Sequence, residues 1–153
     1  MSRLTRGQRA LVYGLAGWCS EIVTTSVRSR GRDGNWRLTG TTYAWMLPIY
    51  GSAAVLFEPA YDAARRSGRP WWQRGLAWMM GIFAVEAVTG EALRAVTGEV
   101  PWDYTRARGR KAVPANWRGL VRPAYAPFWF AVGLGMERLH DLLDRVEIAP
   151  EGR

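Results

Sequence analysis

Apolar residues in this chain fall into four runs, and segments rich in arginine separate them. The runs lie at 8–27, 41–60, 71–96 and 119–142. Each is near the ~20 residues that a helix needs to cross a bilayer. The pattern therefore predicts an all-α fold, a polytopic membrane helical bundle of about four spanning helices in a single transmembrane domain over 1–153.

Prolines modify this picture in the second and fourth runs. The second contains Leu47-Pro48-Ile49-Tyr50-Gly51, and proline removes a backbone donor inside a helix. We therefore expect this span to be kinked or re-entrant at Pro48. Prolines 123 and 127 interrupt the fourth run, after which 137–147 is expected to form an amphipathic tail in water, with His140 solvated.

Two acids lie inside these apolar runs, Glu21 in the first and Glu86 in the third. A charged side chain at the bilayer centre costs about 2.5–3.5 kcal/mol on insertion scales, so such acids are usually functional and face the bundle interior. An unpaired Glu86 is expected to hold a proton, whereas an arginine partner would keep it ionised. The arginines considered as partners are Arg37, Arg94 and Arg122.

Small residues also line one side of the first run, where Gly14 and Gly17 precede Glu21 at helical spacing. Such residues allow a second helix to approach closely. This stripe is thus a candidate surface for homo-oligomerisation.

Composition agrees with a membrane protein once its distribution is considered. The net charge is +8, which fits nucleic acid, an anionic membrane surface or Arg-rich membrane loops. A mean hydropathy of −0.17 resembles a soluble protein, but the charges are clumped between the apolar runs. Aromatic residues at the edges of the runs resemble an interfacial belt: Trp36, Tyr43, Trp71, Trp72, Trp102, Tyr104 and Trp117. The single Cys19 excludes an internal disulfide.

Several short motifs, in order, resemble one known family. They are Gly17-Trp18 with Glu21, Asn35 and Gly40 before Leu47–Gly51, Glu86 with Gly90, Trp102-Asp103-Tyr104, Asn116 with Gly119, and Trp129 with Gly133. This order resembles the CmpB-type ABC-transporter permease (type IV) family of small integral membrane proteins, from Val12 to about Leu143. The resemblance implies several membrane helices in a bacterial cell membrane. One departure is Asn35-Trp36-Arg37, where the family usually has Asn-Arg-Gly.

No Gly-x-x-x-x-Gly-Lys-Ser/Thr phosphate loop occurs in the sequence, so ATP hydrolysis in a transporter would need a separate ATPase. The other predicted partners are membrane lipid and a homo-oligomer or larger membrane complex. We predict no nucleic acid, no metal ligands and no cofactor.

Three functions follow from these observations. The first is a permease-like component with a polar intramembrane site built on Glu21 and Glu86. The second is an intramembrane enzyme acting on a lipid or isoprenoid, with Glu21, Glu86 and Asp103 as acid and base groups. The third is a membrane structural or assembly factor. The predicted pocket residues are Trp18, Asn35, Tyr50, Trp102, Tyr104, Asn116, Arg122 and Trp129, and the predicted structural turns are Pro48, Gly51, Gly90 and Gly119.

Overall fold

A computed structural model describes residues 2–34, 36–105 and 117–148, without the side chains of Arg32 and Asp33. The elements are β1 Ser2–Arg3, α1 Arg6–Asp33, α2 Met46–Gly51, α3 Ala53–Arg66, α4 Trp71–Thr97, a 3-10 turn Pro123–Tyr125, α5 Ala126–Leu143 and β2 Glu147–Ile148. The two-residue strands pair antiparallel, Ser2 with Ile148 and Arg3 with Glu147. The predicted all-α class is confirmed.

Contacts divide the chain into two compact units. Unit 1 comprises Met1–Ala60 and Leu142–Arg153, and unit 2 comprises Tyr61–Asp141. The single transmembrane domain over 1–153 stays a prediction.

Unit 1 is built around α1, whose ends the sequence defines. Thr5 and Gln8 form a reciprocal capping box, with the Gln8 backbone N–H donating to Thr5 Oγ1 at 3.3 Å and the Thr5 N–H donating to Gln8 Oε1 at 2.8 Å. At the other end Gly34 takes φ +65° and donates to the Arg30 carbonyl at 2.8 Å. The 28-residue length of α1 therefore follows from local capping as well as from packing.

Glycines on α1 allow α2 to pack closely against it. A Cβ at Gly14 would lie 2.8 Å from the Leu47 carbonyl oxygen, and one at Gly17 would overlap the Tyr50 ring. On α2, a Cβ at Gly51 would lie 2.9 Å from the Ala10 carbonyl oxygen. The small-residue stripe predicted for oligomerisation is thus occupied within unit 1.

The predicted kink is displaced from its proline. Pro48 lies in the first turn of α2, where backbone N–H groups have no acceptor inside the helix and proline is tolerated. The helix breaks instead at Ser52, between α2 and α3, and the Ser52 hydroxyl donates to the Ile49 carbonyl at 2.6 Å. Residues 41–45 are not helical, so the second helical segment is shorter than the predicted run.

In unit 2, α4 and α5 pack directly on each other. A Cβ at Gly75 would overlap the Phe130 ring, and one at Gly133 would overlap the Trp78 side chain. The contact continues where Glu137 of α5 accepts from Arg74 and Trp78 of α4. The glycines therefore let α4 and α5 pack closely, and beside this contact the buried Glu137 accepts hydrogen bonds from α4.

The prediction that 137–147 forms a tail in water is wrong for residues 137–143, because these residues continue α5. His140 is 3% exposed, and its Nε2 lies 3.2 Å from Asp62 Oδ1. Its ring packs edge-on against Tyr61, with the centroids 5.3 Å apart. His140 is a core residue of unit 2, since its amphipathic segment packs against the end of α3.

Among the described residues, α4 alone is long and apolar enough to cross a membrane. Only 11% of its most apolar 18-residue window is buried, whereas a core helix of a soluble protein would be mostly buried. The four-span bundle is therefore not confirmed.

Candidate functional site

Glu86 lies on the apolar helix α4 and is incompletely hydrogen-bonded. Its Oε1 accepts from the Tyr104 hydroxyl at 3.2 Å. Its Oε2 is buried and has no hydrogen-bond partner. The Trp129 indole N–H approaches the carboxylate without meeting the geometry of a hydrogen bond. Buried polar atoms in proteins nearly always have partners, so the free oxygen requires an explanation.

The segment after α4 folds back and brings Tyr104 to Glu86. Gly90, one turn beyond Glu86, leaves room for this return, because a Cβ there would lie 2.6 Å from Leu120 Cδ2 and 3.2 Å from the Trp102 ring. The Trp102 indole donates to the Leu120 carbonyl at 3.2 Å, and the Tyr104 N–H donates to the Gly119 carbonyl at 2.9 Å. Gly90 thus lies inside α4, and its lack of a side chain lets Leu120 and Trp102 pack against the helix.

Aromatic rings and an arginine extend this site. Tyr104 and Tyr125 meet edge-on with centroids 5.7 Å apart. Arg122 donates to the Tyr125 hydroxyl at 3.2 Å and lies 4.9 Å above its ring. The Arg122 Nε and Trp129 Nε1 are both buried without a partner. Among the described residues, the cluster that runs from Glu86 through Tyr104 and Tyr125 to Arg122, together with Trp129, thus has one buried acceptor and two buried donors without partners.

Glu21 in unit 1 has a different environment. Its Oε2 accepts from the Thr42 hydroxyl at 2.7 Å and from the Tyr50 hydroxyl at 3.4 Å. Nearby, the Trp18 indole donates to the Tyr43 carbonyl at 2.8 Å. Thr42 and Tyr43 belong to the loop before α2, and Tyr50 belongs to α2. Glu21 and Trp18 therefore tie α1 to the segment that packs on it.

The third predicted acid, Asp103, shapes a turn. Its Oδ1 accepts from the Thr105 backbone N–H at 2.8 Å and from the Thr105 hydroxyl at 2.6 Å. A Cβ at Gly119 would lie 2.6 Å from the same oxygen, and Gly119 has φ +78°. This geometry leaves Gly119 in a turn that a residue with a side chain would strain.

Other expectations need correction. Gly51 and Gly90 lie inside helices rather than in turns. Of the two alternatives left open for Glu86, the described residues favour the unpaired one, because Arg94 pairs with Glu91 at 3.4 Å and Arg122 bonds to Tyr125. Asn35 and Asn116 lie outside the described residues.

Two ion-pair clusters with buried members are ones that the sequence did not indicate. In unit 1, Arg9 pairs with Glu58 and with Asp144, both at 2.7 Å. In unit 2, Arg74 binds both oxygens of Glu137, at 2.8 and 2.9 Å. The partners are far apart in sequence, and each lies at the end of an apolar run where a charge is ordinarily read as solvated. No local pattern marks them as pairs.

Among the described residues, one long, apolar and largely unburied helix carries Glu86, whose Oε2 is buried, and ionisable groups on such helices are typical of functional sites in membrane proteins. The chain belongs to the family described as "Putative ABC-transporter type IV", whose model matches residues 10–148. The resemblance to this family is thereby confirmed. The family description suggests a role in transport, a membrane location and association with an ATPase component. No solved structure matches the chain.

Proposed function

We propose that this protein is a permease-like component of a membrane transporter in which Glu86 is a reversible binding site for a proton or small cation. The observation that carries the proposal is the buried, unpartnered Oε2 of Glu86 on α4, which among the described helices is the one long and apolar enough to cross a membrane. Ionisable residues in membrane helices commonly mark ion pathways and proton relays.

The position of Glu86 along α4 supports this role. At ~1.5 Å per residue, Glu86 lies about 22 Å from the start of the helix at Trp71 and about 16 Å from its end at Thr97. With α4 across a ~30 Å hydrocarbon core, the carboxyl group would lie near the middle. Met80 and Val88 of the same helix are exposed, as expected for side chains that face lipid.

The surrounding donors suit binding that can be reversed. The Tyr104 hydroxyl donates to one carboxylate oxygen and fixes the group in place, while the other oxygen can take a proton or a cation. No hydrogen bond from an arginine reaches Glu86 Oε2 among the described residues, so this oxygen is left for a proton or a cation. Tyr104 thus orients the carboxylate through one oxygen, and the other oxygen remains available to bind a proton or a cation.

The remaining parts of a transporter would come from partners. A separate ATPase would supply ATP hydrolysis, and further copies or a larger membrane complex would complete the translocation path. Membrane lipid would cover the exposed apolar residues of α4. The bacterial cell membrane is the proposed location.

Reconstituted vesicles test this function. We would load liposomes with a pH-sensitive dye, incorporate the protein together with the ATPase that co-purifies with it, supply ATP, and add a panel of amino acids, sugars, metal ions and ammonium compounds. We expect at least one class of solute to change the internal pH with the natural protein and not with Glu86→Gln. Glu91→Gln is the matched control, because Glu91 is on the same helix but pairs with Arg94 and Arg118.

A proton movement that Glu86→Gln leaves unchanged would contradict the proposed site. Complete release of the protein from membranes by alkaline carbonate would contradict the membrane location itself. The two results are independent, so either part of the proposal can fail alone.

The other candidate functions have less support. A catalytic pair would need a second available carboxylate, but Asp103 Oδ1 is engaged by Thr105. A structural role fits Glu21, whose Oε2 is satisfied by Thr42 and Tyr50. We therefore assign the polar site to Glu86 and a structural role to Glu21.

A further inference from the structure

The end of α1 and the loop after it carry a concentrated positive charge. Between Glu21 and Glu58 the sequence has arginines at 28, 30, 32 and 37 and a single acid, Asp33. Trp36 is 74% exposed, and the Arg30 guanidinium carbon lies 3.7 Å from the centre of its ring. A cation held against an exposed indole is a preorganised pair at the surface of unit 1.

An exposed apolar strip leads directly to this charge. Val23 and Val27 are 61% and 62% exposed on α1, about two turns and one turn before Arg30, respectively. Arg9 and Arg28 are the arginines on either side of this part of α1. Glu21 is the only charged residue between them.

The loop that carries Trp36 is held against the helix. Thr41 donates its N–H to Thr25 Oγ1 at 2.9 Å, and the Thr25 hydroxyl is 3.0 Å from the Thr41 carbonyl. Gly40 sits so close to Ile22 and Ser26 that a side chain there would overlap them. Trp36 is therefore kept near the last turns of α1.

We propose that Arg28, Arg30 and Trp36 form a binding site for the headgroup of an anionic phospholipid at the membrane surface. The arginines would bind the phosphate, Trp36 would lie at the headgroup level, and Val23 and Val27 would contact the acyl chains. The valines favour lipid over nucleic acid, because a phosphate backbone offers nothing for an apolar strip to contact. This inference rests on the proposed membrane location but not on the role of Glu86.

Quenching of Trp36 fluorescence by brominated lipid tests the site. The full chain is placed in nanodiscs of phosphatidylcholine that contain either brominated phosphatidylglycerol or brominated phosphatidylcholine at equal mole fraction. The signal of Trp36 is the difference between the natural protein and Trp36→Phe. We expect stronger quenching by the anionic lipid, since bromine quenches only at short range.

Charge variants identify the residues responsible. Arg28→Gln with Arg30→Gln should lower the preference for the anionic lipid by about 25-fold, since each arginine near a membrane surface contributes about fivefold. Arg3→Gln with Arg6→Gln removes the same charge around the start of α1 and should leave the quenching of Trp36 unchanged. Arg28→Lys with Arg30→Lys should restore most of the preference.

Each contrary result has a distinct meaning. Equal quenching by both lipids would overturn the headgroup site while leaving the membrane location intact. Failure of the chain to enter nanodiscs would overturn the membrane location. Quenching of Trp36 by a short DNA duplex in detergent, in place of lipid, would show that the cluster binds nucleic acid.

Discussion

Glu21 and Glu86 are the same residue type on two long helices, yet their surroundings differ. Glu21 accepts hydrogen bonds from Thr42 and Tyr50 through one oxygen and fastens a loop and α2 to α1. Glu86 accepts one bond from Tyr104 and keeps a buried oxygen without a partner. A satisfied acid stabilises a fold, whereas an unsatisfied one lowers stability and is retained where function needs it. The comparison therefore separates a structural acid from a candidate functional one.

The largest change in the free energy of unfolding is expected for the ion pair between Arg74 and Glu137. We expect Arg74→Met to lower the free energy of unfolding by about 3 kcal/mol, because it leaves Glu137 buried without its charged partner. The side chains of Arg74 and Glu137 are 21% and 8% exposed. Arg65→Met is the control, since Arg65 is 65% exposed in its pair with Asp141 and should cost about 1 kcal/mol or less. Chemical unfolding in detergent measures both, and equal losses would contradict this ranking.

Packing around Glu21 gives the next effect. Gly17→Val would force a side chain into the Tyr50 ring and should cost about 1–3 kcal/mol. Gly31→Val is the matched change on the same helix, where a Cβ has nothing within 4 Å, and should stay within about 0.5 kcal/mol. Thermal unfolding compares them. A harmless Gly17→Val would mean that α2 does not hold Tyr50 against α1.

Glu21 itself should matter less than this contact. We expect Glu21→Ala to cost about 1–2 kcal/mol, because the Thr42 and Tyr50 hydroxyls lose their acceptor. Glu21→Gln keeps an acceptor oxygen and should cost less. A double-mutant cycle with Thr42→Val checks the assignment, since residues that share a bond are not additive. If the losses in stability from the Glu21 and Thr42 substitutions were additive, the bond between the two residues would not stabilise the fold, which would contradict the structural role of Glu21.

Glu86 should give the smallest change in stability. Glu86→Gln keeps an acceptor for Tyr104 and removes a charge that has no partner, so the free energy of unfolding should change by about 0.5 kcal/mol or less. Unfolding in detergent measures this change beside that of Glu86→Ala, which also removes the acceptor for Tyr104. A loss of about 1 kcal/mol or more with Glu86→Gln would show that Glu86 stabilises the fold as Glu21 does.

The sequence predicted the all-α class and the family, because hydrophobic runs and ordered short motifs are local properties. It also selected Glu86, Tyr104 and Trp129, which the structure brings together in unit 2. The sequence could not predict which glycines have another segment packed against them, since the residue that packs on Gly90 is Leu120, thirty positions away. The burial of His140 has the same kind of cause, because Tyr61 and Asp62 of α3, almost eighty positions earlier, cover its ring.

The position of the helix break shows a subtler limit. Proline was expected to break the second run, but its cost depends on where a helix begins, and α2 begins only two residues before Pro48. Helix starts depend on tertiary contacts such as those of Gly14 and Gly17, which no local pattern supplies.

Infrared difference spectroscopy during a pH titration in nanodiscs tests the central claim, that Glu86 binds and releases a proton, most directly. The carbonyl band of a protonated carboxyl group should appear and disappear with pH in the natural protein and in Glu21→Gln. It should be absent in Glu86→Gln. A band that persists in Glu86→Gln, or that is lost in Glu21→Gln while the protein stays folded, would contradict the assignment of the functional acid.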